Sequence, residues 1–414
     1  MRGHLHDFYL LAFLCLAQFI VLLNTSYAQE QPSIQFTEHL IAGDYAYAYG
    51  IAAADFDADG DLDLSSADYT PHNKLYLFEN DSQGVFKKHI IQQDDAERLE
   101  RHMVGDVDND GDLDIVIVKN LHGDLLWFEN DGTPNDDKLW KRHVITTNLP
   151  GAYDVALADF NNDGHLDVAA SSWVLGNQFA WFENNGQPAE GAWQKHLIEA
   201  NISETRTMRV ADFDADGDPD LLGTIRQEKT VVWYENNRVG NSVTWKKHLI
   251  DNQSPCPAHG NPVDMDNDGD LDVVMALGFF FKPDTDEETA SHHREDNQIV
   301  WYENDAPHKN GWKKHIIATK FDDAFEAIAA DLDNDGDIDV AATTWRTPGR
   351  IAWFENQGDP RKTWKQHLLK ENWRSANQVI IADMNGDKKP DIVACAERGS
   401  VEVRWWRNEG RPQE

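Results

Sequence analysis

The sequence predicts an all-β fold, a single seven-bladed β-propeller of four-stranded blades closed by an N-terminal strand that completes the last blade. Three observations predict it. The first is a nine-residue acidic pattern, Asp331-Leu-Asp-Asn-Asp-Gly-Asp-Ile-Asp339. It returns from Asp55, Asp106, Asp159, Asp212, Asp264 and Asp383 at intervals of 51 to 53 residues, apart from one of 67, and a fixed period of this length marks a repeat architecture. The second is that each repeat adds an aromatic stretch, such as Trp127-Phe-Glu-Asn130, and a basic one, such as Trp140-Lys-Arg-His-Val144. With the apolar runs on either side of the acidic loop, each unit then holds four strands. The third is the register of the ends. The chain stops after Trp405-Trp-Arg-Asn408 without a basic strand, whereas an unaccompanied Phe36-Thr-Glu-His-Leu-Ile41 precedes the first loop. Joining the two removes open sheet edges of the kind that invite aggregation.

Taken from the start, residues 1–28 read as a secretory signal: Arg2, an apolar stretch from Phe8 to Leu23, and a Ser-x-Ala exit at Ala28. Residues 29–414 then form one propeller domain, expected to be a secreted or periplasmic monomer. No later stretch approaches the ~18 apolar residues a membrane span needs. Cys15 lies inside the signal, which leaves Cys256 and Cys395 and no disulfide framework.

The acidic loops explain a conflict in the composition. A net charge of -36 suits a disordered acidic chain, but fifteen Trp and 10% aromatic residues argue for a packed core. Carboxylates at positions 1, 3 and 5 converge only if the backbone turns sharply, and Gly336 at position 6 tolerates the positive φ this requires. Several anionic oxygens in a flexible loop suit Ca2+ better than Mg2+, which demands a stricter octahedron. An EF-hand begins in the same way but needs Glu at position 12, where this loop has Ala342, and the closing carboxylate is instead Asp339. Nothing resembles the basic stripe that neutralises phosphates, so nucleic acid is excluded as a partner.

The pattern D-x-D-x-D-G-x-x-D between two strands, repeated sevenfold, resembles the FG-GAP or VCBS repeats of integrin α-chain propellers and of many secreted bacterial proteins. The resemblance implies up to seven Ca2+ sites, each using the side chains at positions 1, 3, 5 and 9 and the carbonyl at position 7. The implied ligands are Asp55, Asp57, Asp59 and Asp63 in the first loop, then Asp106, Asp108, Asp110 and Asp114, then Asp159, Asn161, Asp163 and Asp167. They continue with Asp212, Asp214, Asp216 and Asp220, with Asp264, Asp266, Asp268 and Asp272, with Asp331, Asp333, Asp335 and Asp339, and with Asp383, Asn385, Asp387 and Asp391. The seventh site is expected to be the weakest, because Lys388 stands where the turn wants Gly and Lys389 adds positive charge. The Trp-x-Glu-Asn and Lys-His marks are also similar to the propellers of some carbohydrate-active enzymes, including aldos-2-ulose dehydratase and certain polysaccharide lyases.

Function is expected in residues that break the repeat, since what all blades share is scaffold. The seven His at one position of the basic strand (39, 89, 143, 196, 248, 315 and 367) are therefore expected to pack between blades, as are the repeated Trp. If the acidic loop joins the first and second strands, the remaining inner loops share the opposite face. Six residues after each closing Asp stand Tyr69, Asn120, Trp173, Arg226, Gly278, Trp345 and Glu397. Six before each first Asp stand Tyr49, Glu100, Tyr153, Arg206, Ala258, Phe325 and Asn377, with Arg101 and His259 one step further in. From these, Tyr49, Tyr69, Arg101, Tyr153, Trp173, Arg206, Arg226, His259 and Trp345 are the candidate ligand-binding residues. Arginine forks beside Trp and Tyr suit a planar anionic ligand such as a uronate or sulfated sugar.

An insertion at residues 278–298, carrying His292 and His293, explains the 67-residue interval and suits a lid or binding loop. Three functions remain open. One is a propeller that binds carbohydrate or an extracellular protein. Another is a lyase or dehydratase on acidic sugar with Tyr153 or His259 as base. The third is an adhesive structural module.

Overall fold

The computed structural model describes residues 34–69, 73–95, 98–120, 122–279, 297–305, 311–345 and 348–412. The expected signal at 1–28, His292, His293 and most of the 278–298 insertion lie outside the described residues.

Among the described residues the chain is all-β: 28 strands and a single turn of 3-10 helix at Pro188–Glu190. The strands fall into repeating four-stranded antiparallel sheets, taken in chain order except that the N-terminal strand completes the last, and two neighbouring sheets are joined through a parallel bridge between His259 and Glu326. In every unit the acidic loop connects the first strand to the second, and the second begins on the position-9 Asp, as in Asp114–Lys119 and Asp339–Thr344. All six residues of each second strand are buried. After the opening Asp their runs are short and apolar or small, apart from Asp68 and Lys119 at two ends, the pattern of a strand covered on both faces.

The N-terminal strand Gln35–Ala42 pairs antiparallel with the C-terminal strand Glu402–Gly410, placing His39 opposite Trp405. The core lies between sheets, as a series of apolar clusters each shared by two successive units. Val116, Trp127, Val155 and Val168 share one such cluster, and Ile51, Tyr76, Val393 and Trp405 share another between the first unit and the last. The first strands touch in sequence, and the last, Ala376–Ala382, lies against the first, Ala48–Ala54.

The repeat marks hold this arrangement. The Asn of each Trp-x-Glu-Asn stretch donates its backbone N–H to the position-9 Asp of its own loop at 2.7–2.9 Å, from Asn80 to Asn408. Its side-chain amide reaches the neighbouring unit: Asn130 to the carbonyl of Phe56, Asn184 to Val107, Asn236 to Phe160, Asn408 to Leu332 and Asn80 to Met384, at 2.7–3.0 Å. The histidines stack on the aromatic strand, with centroids 4.1–4.5 Å apart for Trp127–His143, Trp181–His196, Trp233–His248, Trp301–His315 and Trp353–His367. Each of these His also hydrogen-bonds the Glu of the mark, from Glu129 to Glu355. In the last unit Arg407 takes the place of that Glu, and His39 Nε2 is buried without a hydrogen-bond partner.

Candidate functional site

Two places depart from simple packing, one at each end of the first strands. At the loop end, position 1 of each acidic loop accepts backbone N–H groups from positions 5 and 6, as Asp331 does from Asp335 and Gly336 at 3.1 and 3.0 Å. That geometry requires a left-handed residue at position 6, where the six glycines have φ of 92–100°. Lys388 adopts the same region at φ 66° in the seventh loop, at a cost of about 1 kcal/mol. An added Cβ would meet nothing at the six glycines, so what disfavours a side chain there is the backbone and not crowding.

Five loops bring three carboxylates within 4.8 Å of one another: Asp55, Asp57 and Asp59; Asp106, Asp108 and Asp114; Asp212, Asp214 and Asp220; Asp264, Asp266 and Asp272; and Asp331, Asp333 and Asp339. In the third and seventh, Asn161 and Asn385 supply a neutral oxygen at position 3. Protein groups alone leave these charges poorly compensated. Burial pushes the position-9 carboxyls up to about 7 at Asp63, Asp220, Asp272 and Asp391 and to about 8 at Asp114, Asp167 and Asp339. Asp108 Oδ1 is buried without a hydrogen-bond partner. The donor set is all oxygen and mostly anionic, which fits a hard divalent cation.

The opposite end holds a depression enclosing about 440 Å³ with its open mouth, lined by Tyr47, Tyr49, Arg98, Glu100, Asn120, Tyr153, Trp173, Arg206, Phe279, Phe325, Trp345, Glu397 and Arg398. Its lining comes from the starts of first strands and the ends of second strands. Each first strand carries a register irregularity at its start, between Tyr49 and Ile51, Leu99 and His102, Ala152 and Val155, Thr205 and Met208, Pro257 and Gly260, Ala324 and Glu326, and Ala376 and Val379. A bulge re-aims side chains that strict alternation would send to opposite faces.

Within the depression, Arg206 Nη1 donates to Tyr153 Oη at 2.7 Å, and its guanidinium lies 5.4 Å from the Trp173 ring and 4.9 Å from that of Phe279. Tyr153 Oη is also 3.3 Å from His259 Nε2 and 3.5 Å from Tyr49 Oη. Burial, reinforced by Arg101, Arg209 and Arg206, keeps His259 neutral. Glu100 is ion-paired with Arg98 through Oε1, its Oε2 is buried without a hydrogen-bond partner, and burial lifts its carboxyl to about 7. Glu397 accepts from Trp345 Nε1 and from Asn377 Nδ2, the latter at 3.1 Å, and its pKa is likewise raised by burial.

A family model for FG-GAP-like repeats matches residues 55–117, 106–170, 212–275 and 331–394, together more than half of the chain. The chain belongs to the FG-GAP-like repeat family. Each matched stretch of this FG-GAP-like protein spans a whole repeat, from one acidic loop through the next and into its second strand. No curated protein matches it. Among solved structures it is similar to a lectin of Agrocybe aegerita described as recognising non-reducing terminal N-acetylglucosamine, at 15% identity and TM-score 0.53, over 88% of this chain and 86% of that one. It is also similar to BBS1N, solved in complex with ARL6DN, at 8% identity and TM-score 0.55, over 92% and 97%. At these identities the likeness concerns the fold, and it is a propeller-like one.

Of the residues the sequence singled out on the far face of this FG-GAP-like chain, Tyr49, Tyr153, Trp173, Arg206 and Trp345 line the depression. Tyr69 stands beside it, edge-on to Tyr47 at 5.0 Å with the Arg98 guanidinium 4.8 Å from its ring. Three other candidates are buried and do not line the depression. Arg226 is 5% exposed and committed, pairing with Glu204 and donating to the Phe279 carbonyl at 3.0 Å. Arg101 is 1% exposed and joined through both terminal nitrogens to Glu326, at 3.3 and 2.8 Å. His259, 0% exposed, lies beneath Tyr153. Conversely, Tyr47, Phe279 and Arg398 were absent from both sequence rings, because they sit one or two residues to the side of the positions a fixed offset selects.

Proposed function

We propose that the protein is a calcium-stabilised, seven-bladed β-propeller that binds an acidic carbohydrate in the depression opposite its acidic loops. The sevenfold sequence repeat supports the blade count. Ring closure is supported by the pairing of Gln35–Ala42 with Glu402–Gly410 and by the Asn80 amide bond to the Met384 carbonyl at 2.8 Å. In this reading the acidic loops hold Ca2+ through the side chains at positions 1, 3, 5 and 9, and the ion offsets carboxylates that the protein leaves unneutralised. The N-terminal signal directs the chain to a secreted or periplasmic location, where millimolar calcium is compatible with sites of modest affinity.

One observation carries the ligand reading: Arg206 is 2% exposed, lines the depression, and has no carboxylate within ion-pair distance among the described residues. The other arginines there are paired, Arg98 with Glu100, and Arg398 with Glu397 at 3.8 Å. A buried guanidinium without a counter-ion is costly, and on a chain of net charge -36 it marks a place for an anion. Trp173, Phe279 and Trp345 supply aromatic surface for a sugar ring beside it. The test is titration of the calcium-loaded protein against uronate and sulfated oligosaccharides, with neutral oligosaccharides as controls. Preference for the neutral set would overturn the reading.

A second reading, a lyase or dehydratase acting on acidic sugar, is favoured by the Tyr153 contacts. With Arg206 donating to its oxygen and neutral His259 beneath it, Tyr153 is placed to exchange a proton with a bound ligand. Incubation with uronate polymers, followed by ultraviolet absorbance of an unsaturated product, separates this enzyme from a binding protein.

A further inference from the structure

The candidate site has a floor, and the floor constrains how a ligand enters. One residue deeper than the lining in five of the first strands, Arg101, Asp154, Thr207, His259 and Glu326 are 0–2% exposed. They are locked across the axis. Arg101 spans from the second unit to Glu326 of the sixth, and Arg209 links Glu326 at 3.3 Å to Asp154 at 2.7 Å. Two guanidinium groups and two carboxylates thus neutralise one another, which distinguishes them from Arg206 directly above. A strand of sugar cannot pass this layer without breaking buried ion pairs, whose one-sided loss is strongly destabilising.

Above the floor, two groups with a free hydrogen-bonding atom face the depression from different units. Arg206, of the fourth unit, keeps its Nε buried and unpartnered, and Glu100, of the second, is ion-paired with Arg98 through Oε1 but keeps Oε2 buried without a hydrogen-bond partner. Tyr153 of the third unit stands between, with its hydroxyl 2.7 Å from the Arg206 nitrogen and 3.5 Å from Tyr49 Oη. A ligand that satisfies both must bring an anionic group to the guanidinium and a hydroxyl donor to the carboxylate. Arg206 and Glu100 are 2% and 0% exposed, so only a group that enters the depression reaches them. An internal sugar of a polymer, linked on two sides, would have to lie across the mouth and would reach neither group.

We propose that the depression is a blind, end-on receptor for the terminal unit of an acidic saccharide, with Arg206 taking the carboxylate or sulfate and Glu100 taking a ring hydroxyl. This rests on the acidic-carbohydrate reading above and restricts it to chain ends and short oligomers.

The experiment compares the trimer and the long polymer of galacturonate, of glucuronate and of a sulfated glucosamine–uronate chain, by calorimetric titration of calcium-loaded protein. The expected result is that at least one trimer binds and that its polymer binds in proportion to chain ends, with one protein per end however long the chain. Stoichiometry proportional to the number of sugar residues would overturn the end-on proposal and leave the carbohydrate reading standing. If no trimer or polymer binds, both fall. Carboxyl reduction of the binding trimer is expected to weaken it at least tenfold, as is Arg206→Lys, which keeps the charge but loses the planar fork. Glu100→Gln, isosteric and unable to accept through two anionic oxygens, is expected to weaken it three- to tenfold. Unchanged binding of the reduced trimer would remove Arg206 from the contact, and unchanged binding by Glu100→Gln would remove Glu100.

Discussion

At the residue scale, chemically similar side chains separate by what surrounds them. Trp181 is 3% exposed within an inter-sheet cluster with Phe160 and Tyr234, whereas Trp173 is half-buried beside Tyr153 and the Arg206 guanidinium. Trp181→Ala is expected to lose roughly 3–5 kcal/mol of stability as a large-to-small core change. Trp173→Ala is expected to leave the melting temperature nearly unchanged and to weaken acidic-sugar binding by about tenfold. Thermal melts and titrations on the two variants check this, and equal destabilisation would return Trp173 to packing.

Glu100 makes a second residue-scale prediction, with a definite sign. Its folded pKa of about 7 lies above the ordinary 4.5, first because of burial and then because Glu397 is near, with Arg98, Arg101 and Arg206 opposing. Between those two values the unfolded chain has released a proton that the folded chain retains, so this group's contribution falls as pH rises. Relative to Glu100→Gln, wild type is expected to lose stability across about pH 4.5 to 7, with a slope of at most about 1.4 kcal/mol per pH unit. Denaturant melts at saturating calcium measure the difference. Taking the difference matters because buried His102, depressed to about 4 chiefly by burial, pulls the other way over part of the same range.

At the element scale the bulged start of the first strands is the device that builds the candidate site, and it depends on close backbone approach. Gly50 has φ 71°, and a Cβ there would lie 2.4 Å from the Glu100 carbonyl oxygen. One bond away, Ile51 N–H donates to Gln378 Oε1 of the last unit at 3.0 Å. Gly50→Ala therefore combines backbone strain with a clash against backbone that cannot move aside, and is expected to lose more than about 2 kcal/mol. Gly→Ala at an acidic-loop glycine such as Gly217, φ 92° with nothing near its Cβ position, should cost only the backbone strain. Similar losses at both sites, measured by denaturant unfolding, would argue against tight first-strand packing.

At the scale of the whole molecule, two features bear on stability together. The chain carries 73 acidic against 37 basic residues, and self-repulsion on this scale destabilises a compact state. Each site saturated at a hundredfold excess of calcium adds about 2.7 kcal/mol if only the folded state binds. Chelation is therefore expected to lower the melting temperature markedly, and an unchanged melt after metal analysis confirms removal would refute the calcium role. Removing residues up to Ala42 strips the strand that places His39 over Trp405, 4.9 Å between centroids, and Glu38 on Lys370 and Arg404 at 2.7 and 2.8 Å. The truncated chain is expected to expose the Glu402–Gly410 edge and to aggregate or unfold with reduced cooperativity. Monomeric, fully cooperative unfolding would refute closure by this strand.

What the sequence determined by itself is everything that repeats. The acidic loops, the Trp-x-Glu-Asn and Lys-His marks, the strand count per unit and the pairing of the two termini are written at fixed offsets, because each unit solves the same local problem with the same residues. The same offsets also placed Tyr49, Tyr153, Trp173, Arg206 and Trp345 on one face. Tertiary structure alone decided which of the face residues are available. Arg101 and Arg206 look alike in sequence, but Glu326, 225 positions away, neutralises Arg101, while Arg206 hydrogen-bonds a tyrosine hydroxyl, lies beside aromatic rings and has no ion-pair partner among the described residues. Arg226 is lost in the same way to Glu204. The bulges that turn neighbouring residues toward the axis leave no periodic trace either, since they shift register without changing the spacing of the loops. Ion pairing and desolvation depend on distances within and between units, and those distances exist only once the strands are bulged and the sheets are packed.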